Sequence, residues 1–160
     1  MAVRRLQLGR AALQLALRLA QEKTAVIAAR RPEAFVLGAD TLVAVGRRIL
    51  NKPETEPEAR AMLALLSGRA HMVLTGVVVR APDGRSAERV VETRVRFKRI
   101  ESREAEAFIA AGDWRDAAGG YKIHQRAGAF VTGIQGSYSS VVGLPLYETV
   151  NLLTGLGWPA

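Results

Sequence analysis

The stretch Ala34-Phe35-Val36-Leu37-Gly38-Ala39-Asp40-Thr41-Leu42-Val43-Ala44-Val45 decides the fold class. Its apolar run is too interrupted for a helix. It suits a buried strand, a break over Gly38–Thr41 and a second extended piece. Asp40 then stands at the end of a buried strand, beside glycine, where ligand sites of α/β folds tend to lie. A carboxylate there can act as a general base or hold a divalent cation, or turn amides can satisfy it in an Asx-turn.

On the N-terminal side, residues 10–30 read as an amphipathic helix rich in Ala and Leu, closed by Arg30-Arg31-Pro32. The arginines before Ala11–Leu17 give this region the look of a targeting peptide. Gln14 and Arg18 interrupt the apolar run, however, and no cleavage pattern follows before Glu22 and Lys23. On the C-terminal side, Gly46-Arg47-Arg48 makes a turn and Thr55-Glu56-Pro57-Glu58 a capping box. Ala59, Met62, Leu63 and Leu66 follow at helical spacing, and Gly68 supplies a stop. His71 to Arg80 is strand-like, and Pro82-Asp83-Gly84 turns it into Arg89 to Ile100. In that second arm Val91, Thr93, Val95 and Phe97 alternate with Glu92, Arg94, Arg96 and Lys98, one face packed and one wet.

Ser102 caps a short helix carrying Ala105, Phe108 and Ile109 and ended by Gly112. Asp116-Ala117-Ala118-Gly119-Gly120 leads to a strand at Ala129-Phe130-Val131, and Gly136 to Ser140 is a polar loop. The last helix begins at Pro145, with Leu146, Val150 and Leu153 as its apolar stripe. Helices and strands interspersed around one extended sheet give an α/β or α+β class.

At 160 residues the chain makes one compact domain that can bury about two-thirds of its unfolded surface without disulfides or a structural metal. It contains no Cys and two His, which excludes disulfide scaffolds, thiolate zinc sites, iron–sulfur clusters, cysteine nucleophiles and multi-His metal centres. No stretch is long and apolar enough to span a membrane, and the absence of targeting signals and Cys points to the cytoplasm. A net charge of +8 favours an anionic partner: nucleic acid, acidic lipid or a phosphorylated small molecule. Aromatics make up 6% of the chain and only Phe97 lies in the basic hairpin, so stacking on nucleic acid has little support.

Two further positions invite an anion. Pro53 holds Lys52 extended, just ahead of the helix N-terminus at Thr55–Glu58; a phosphate would suit both, and so would a solvated loop lysine. His124 lies between Lys122 and Arg126, as a ligand contact or a plain surface histidine, whereas His71 opens a strand and reads as structural. The glycines at Gly119-Gly120 and Gly136 match neither a P-loop nor a dinucleotide fingerprint.

Taken together, Leu37-Gly38-Ala39-Asp40-Thr41, Asn51-Lys52-Pro53, Leu66-Ser67-Gly68-Arg69-Ala70-His71, Thr75-Gly76, Ala118-Gly119-Gly120-Tyr121 and Gly136-Ser137-Tyr138 running on to Val141-Val142-Gly143-Leu144-Pro145-Leu146 resemble the Maf family of nucleoside triphosphate pyrophosphatases. The resemblance covers roughly Leu17 to Trp158. It implies an α/β fold with an elongated mixed sheet flanked by helices, and a cleft between two lobes. It also implies hydrolysis of a nucleotide between the α and β phosphates, with a divalent metal (Mg²⁺ or Mn²⁺). By the same resemblance Asp40 is the proton acceptor and a candidate metal ligand. Lys23 and Lys52 face the phosphates, while Thr41 and His124 stand at substrate-binding positions. The Asp40-Thr41 pair leans towards dTTP/UTP, with 7-methyl-GTP as the alternative. The family's dimers make a homodimer an expectation.

Against the family pattern, Met1–Gly9 offers only Arg4-Arg5 where a Ser-x-Ser-Pro-Arg-Arg loop would stand, so the single domain reads as N-terminally shortened. Ala117 replaces a lysine, His124 a glutamine (with Gln125 one place on) and Ser140 an asparagine. These departures carry a second expectation, a catalytically impaired relative that binds nucleotides or a protein partner.

Overall fold

The computed structural model describes residues 2–159, with side chains from residue 9 onward; Met1, Ala160 and the side chains of residues 2–8, Arg4-Arg5 among them, lie outside the described residues. Helix α1 spans Ala2–Arg30. Among its described residues the side chains it buries are Ala12, Ala16, Ala20, Thr24 and Ala28, a stripe of small residues four apart.

The strand opposite explains the stripe. β1 runs unbroken from Val36 to Val45, so the break expected over Gly38–Thr41 does not exist and Asp40 sits in mid-strand. Gly38 is there for close approach: a Cβ on it would collide with the Thr24 hydroxyl and stand 3.1 Å from the Ala20 carbonyl oxygen. Gly76 repeats the arrangement, since a Cβ there would lie 2.7 Å from the Ala16 carbonyl oxygen and 2.9 Å from Leu17 Cα. Small faces small, and the helix backbone comes down onto the strands.

The remaining elements are β2 (Arg48–Leu50), α2 (Glu56–Leu66), β3 (Ala70–Arg80), β4 (Ser86–Phe97), α3 (Ser102–Ala111), β5 (Val131–Gln135), α4 (Tyr138–Val142) and α5 (Leu146–Gly155). The strands form one sheet in the order β2-β1-β3-β4-β5. β1 pairs antiparallel with β2 through Val43↔Leu50, Ala44↔Ile49 and Val45↔Arg48. β4 pairs antiparallel with β5 from Arg94↔Gln135 to Phe97↔Val131. Among the described residues the sheet is antiparallel, which corrects the expected mixed sheet. The reason is topological. The α2 crossover carries the chain from β2 to β3 over β1, so the two parallel strands never become neighbours.

Two compact units divide the chain. The first comprises residues 1–41, 74–91 and 139–160, and the second residues 42–73 and 92–138. The core of the first is Val77, Val79, Ala81, Leu152 and Leu156, with Phe35, Ala39, Ala87, Leu144 and Leu153 packed against it. Here α5 departs from expectation: it buries Thr149 and Leu152, while Leu146 and Val150 are exposed. The core of the second is aromatic. Phe97 meets His71, Tyr121 and Phe130 edge-on, and Phe108 packs on Phe130.

In the second unit, the Thr55 hydroxyl caps α2 by accepting from the Glu58 N–H, and the Glu58 carboxylate accepts from the Glu54 N–H, one residue ahead of the cap. α3 is capped by Glu101 and Glu104 in a reciprocal box, not by Ser102, which lies inside the helix. Carboxylates suit the positive end of a helix as well as hydroxyls do. The strand expected at Ala129-Phe130-Val131 is a 3-10 turn over Arg126–Phe130 before β5 begins at Val131.

Candidate functional site

Successive residues of a strand point to opposite faces, and β1 obeys this at the residues of interest. Gly38 and Asp40 face α1, and the Asp40 carboxylate accepts a hydrogen bond from the Lys23 ammonium. The Asp40 side chain is 13% exposed and that of Lys23 60%, so the pair is a carboxylate sunk at the sheet with its cation reaching in from solvent. Lys23 directly precedes Thr24, the stripe residue that meets Gly38. The tight helix–strand seam therefore brings the Lys23 backbone within reach of Asp40. Lys23 is thus the ion-pair partner of Asp40.

Ala39 and Thr41 point the other way. Ala39 packs against the cluster containing α5 residues, and the Thr41 hydroxyl lies 2.9 Å from that of Thr75. Thr75 is fully buried and donates to the Ser140 carbonyl at 2.8 Å. Gly143 stands near Thr41, where a Cβ would be 3.9 Å from its hydroxyl oxygen. Asp40 and Thr41, neighbours in sequence, thus serve opposite faces of β1. β2 pairs only with Val43–Val45, so among the described residues no strand lies beside the outer edge of β1 over Val36–Thr41, where Asp40 and Thr41 are each partly exposed. Thr75 carried no site assignment in the sequence reading. A lone hydroxyl in the apolar run of β3 was the available signal.

The other expected contacts belong to the second unit. Lys52 is exposed, but its backbone is anchored on either side: the Asn51 carbonyl accepts from the Gly119 N–H at 3.1 Å, and Pro53 is buried. Gly119, at φ +70°, sits on Val43, whose side chain a Cβ would meet at 2.9 Å. The Gly119-Gly120 pair therefore holds the Lys52 segment by packing. Ala117 is buried and His124 lies exposed in a turn. His71 is buried with Nε2 2.6 Å from the Tyr121 hydroxyl and no partner on Nδ1; burial pushes its pKa down to about 4 and that of Tyr121 upward.

Among the described residues no three His, Cys, Asp or Glu side chains come together as a metal cage. A divalent ion that keeps its waters and binds through one carboxylate plus substrate phosphates does not need such a cage, and Asp40 can supply that carboxylate. Nor is any described helix long and apolar enough to cross a membrane.

Comparison with known proteins identifies the family. Residues 4–156 match the family described as Maf-like protein. The chain is 62% identical over 143 residues to the dTTP/UTP pyrophosphatase of Caulobacter vibrioides, covering 89% of this chain and 74% of that protein. It is 63% identical over 145 residues to the protein of the same name from Maricaulis maris (91% and 69% covered). A third, from Hyphomonas neptunium, is 56% identical over 145 residues (91% and 75% covered).

Proposed function

The chain belongs to the Maf-like protein family, and from that premise we propose that it hydrolyses dTTP and UTP to the monophosphate and pyrophosphate, as a hydrolase of nucleotide metabolism in the cytoplasm. The observation that carries this reading is identity of 56% to 63% over about nine-tenths of the chain to proteins named for that one activity. The Lys23–Asp40 pair supports it, because it joins a candidate base to a cation that phosphate oxygens can attract away.

Water attacks the α-phosphorus, the bond from that phosphorus to the bridging oxygen breaks, and pyrophosphate leaves. Asp40 takes the proton of the attacking water. The Lys23 ammonium engages one of the two Asp40 carboxylate oxygens and lowers the basicity of the group, so drawing Lys23 away strengthens the base. Triphosphate oxygens compete for the ammonium, so substrate binding releases the base as it gains a cation. Lys52 supplies a second cation and Thr41 and His124 contact the nucleotide. Fixed positive charge against developing phosphoryl charge contributes about 3 kcal/mol per donor to lowering the barrier. Mg²⁺ or Mn²⁺, when bound through Asp40 and the phosphates, would neutralise phosphoryl charge further. The elongated two-lobed form with a cleft, and a homodimer, belong to this reading as expectations from the family.

The test is pyrophosphate release from a nucleotide panel with Mg²⁺ or Mn²⁺. dTTP and UTP are expected as the preferred substrates. Asp40→Asn is expected to lower turnover by about 10²–10⁴-fold, the usual worth of a positioned general base. Turnover that survives Asp40→Asn unchanged removes Asp40 from the mechanism.

A further inference from the structure

Thr75 makes two hydrogen bonds with one proton. The Ser140 carbonyl oxygen, 2.8 Å away, can only accept, so the Thr75 proton goes to it. The contact of 2.9 Å between the Thr75 and Thr41 hydroxyls must then be donated by Thr41. That commits the single proton of Thr41 to the protein interior and leaves only lone pairs for anything arriving from outside. Gly143, with no side chain, leaves the neighbourhood of that oxygen open. The polarity of the chain Thr41→Thr75→Ser140 is thus fixed at its inner end by a carbonyl.

We propose that Thr75 locks Thr41 as an acceptor-only hydroxyl, and that Thr41 reads the imide N3–H of a thymine or uracil base. The proposal rests on the pyrophosphatase reading for the identity of the ligand. Phosphate oxygens accept and do not donate, so a locked Thr41 has nothing to offer them. Thymine and uracil carry N–H at ring position 3, where cytosine carries a bare acceptor nitrogen. An unlocked hydroxyl would serve either base by rotating, whereas a locked one faces cytosine lone pair to lone pair. Thr75 is a positioning residue that acts through Thr41 and touches no substrate.

The experiment measures calorimetric affinity for the α,β-imido analogues of UTP, N3-methyl-UTP and CTP, with the unmodified chain, Thr75→Val and Thr75→Ser. The unmodified chain is expected to bind the UTP analogue about tenfold or more tightly than either of the others, the scale of one net hydrogen bond. Thr75→Val, which keeps the shape and removes the relay, is expected to bring the UTP-to-CTP ratio down about tenfold, and Thr75→Ser to restore it. A ratio unchanged in folded Thr75→Val, or an unmodified chain that binds UTP and N3-methyl-UTP analogues equally or binds neither, overturns the proposal. If Thr75→Val does not fold, the N3-methyl comparison on the unmodified chain decides. Turnover is scored separately. Selective binding without pyrophosphate release removes the pyrophosphatase reading and supports the role of Thr75. Release from UTP and CTP at equal kcat/KM removes that role and leaves the pyrophosphatase reading standing.

Discussion

At the scale of single residues, the two histidines show how burial sorts one side-chain type into two roles. His124 lies exposed in a turn, while His71 is buried against Tyr121 and holds a proton poorly, with its pKa down at about 4. The unfolded chain takes up that proton near the ordinary value of 6.5, so it binds more protons than the native state between there and about 4. Stability is therefore level above pH 6.5, falls as the pH drops through this window, and flattens below it, by up to about 3 kcal/mol. Urea midpoints of the unmodified chain compared with His71→Phe from pH 7.5 to 4 will check this; parallel curves would contradict it. Asp40, Lys52 and His124 stand out in the sequence as candidates because their neighbours, glycine, proline and cations, set them apart. That Asp40 and Thr41 look to opposite faces was not legible, because the glycine beside them mimics a break and hides the alternation. Thr75 was hidden for another reason: its hydroxyl matters only through the Ser140 carbonyl, 65 residues away.

At the scale of elements, the sequence specifies periodicity better than it specifies which phase is buried. In α5 the set Leu146, Val150, Leu153 and the set Thr149, Leu152, Leu156 both have helical spacing, and apolarity favours the first. Tertiary packing chose the second, because Leu152 and Leu156 meet Val77 and Val79 on the sheet. α1 carries the same lesson: leucine content marks the helix, yet alanine is what it buries. Gly76→Ala must push the Ala16–Leu17 backbone aside, and a loss of about 1–3 kcal/mol is expected, as for other overpacked sites. Gly155→Ala, at the end of α5 with nothing near its Cβ position, is expected to stay within about 0.5 kcal/mol of the unmodified chain or gain slightly. Thermal melts of the pair, run together, separate close approach from a general intolerance of alanine. At the start of α2, Thr55→Ala removes the hydroxyl that accepts from Glu58 and should cost about 1 kcal/mol in the same assay.

At the scale of the whole molecule, β1, β3 and β4 each begin in one unit and end in the other, so neither unit can lose its strands alone. Each unit also carries its own tryptophan. Trp158, half-exposed and edge-on to Phe35, belongs to the first, and Trp114, buried and donating to the Ile109 carbonyl, belongs to the second. In Trp114→Phe and Trp158→Phe, the remaining fluorophore and the far-UV dichroism are expected to share one urea midpoint within each variant. Midpoints that separate would show two transitions. Within the net charge of +8, the proposed function uses Lys23 and Lys52, while other cations such as Arg94 and Arg96 lie on solvated strand faces. The seam where Ala16 and Ala20 meet Gly76 and Gly38 also bears on entropy. Alanine and glycine have no rotamers to freeze, so docking α1 there costs little side-chain freedom beyond that of Thr24, whose hydroxyl is held by the Ala20 carbonyl. It also leaves few rotamers able to absorb a displacement. The spacing of the Lys23 and Asp40 backbones is then set by main chain, and any motion that opens the pair is either a swing of the lysine side chain or a movement of the whole helix.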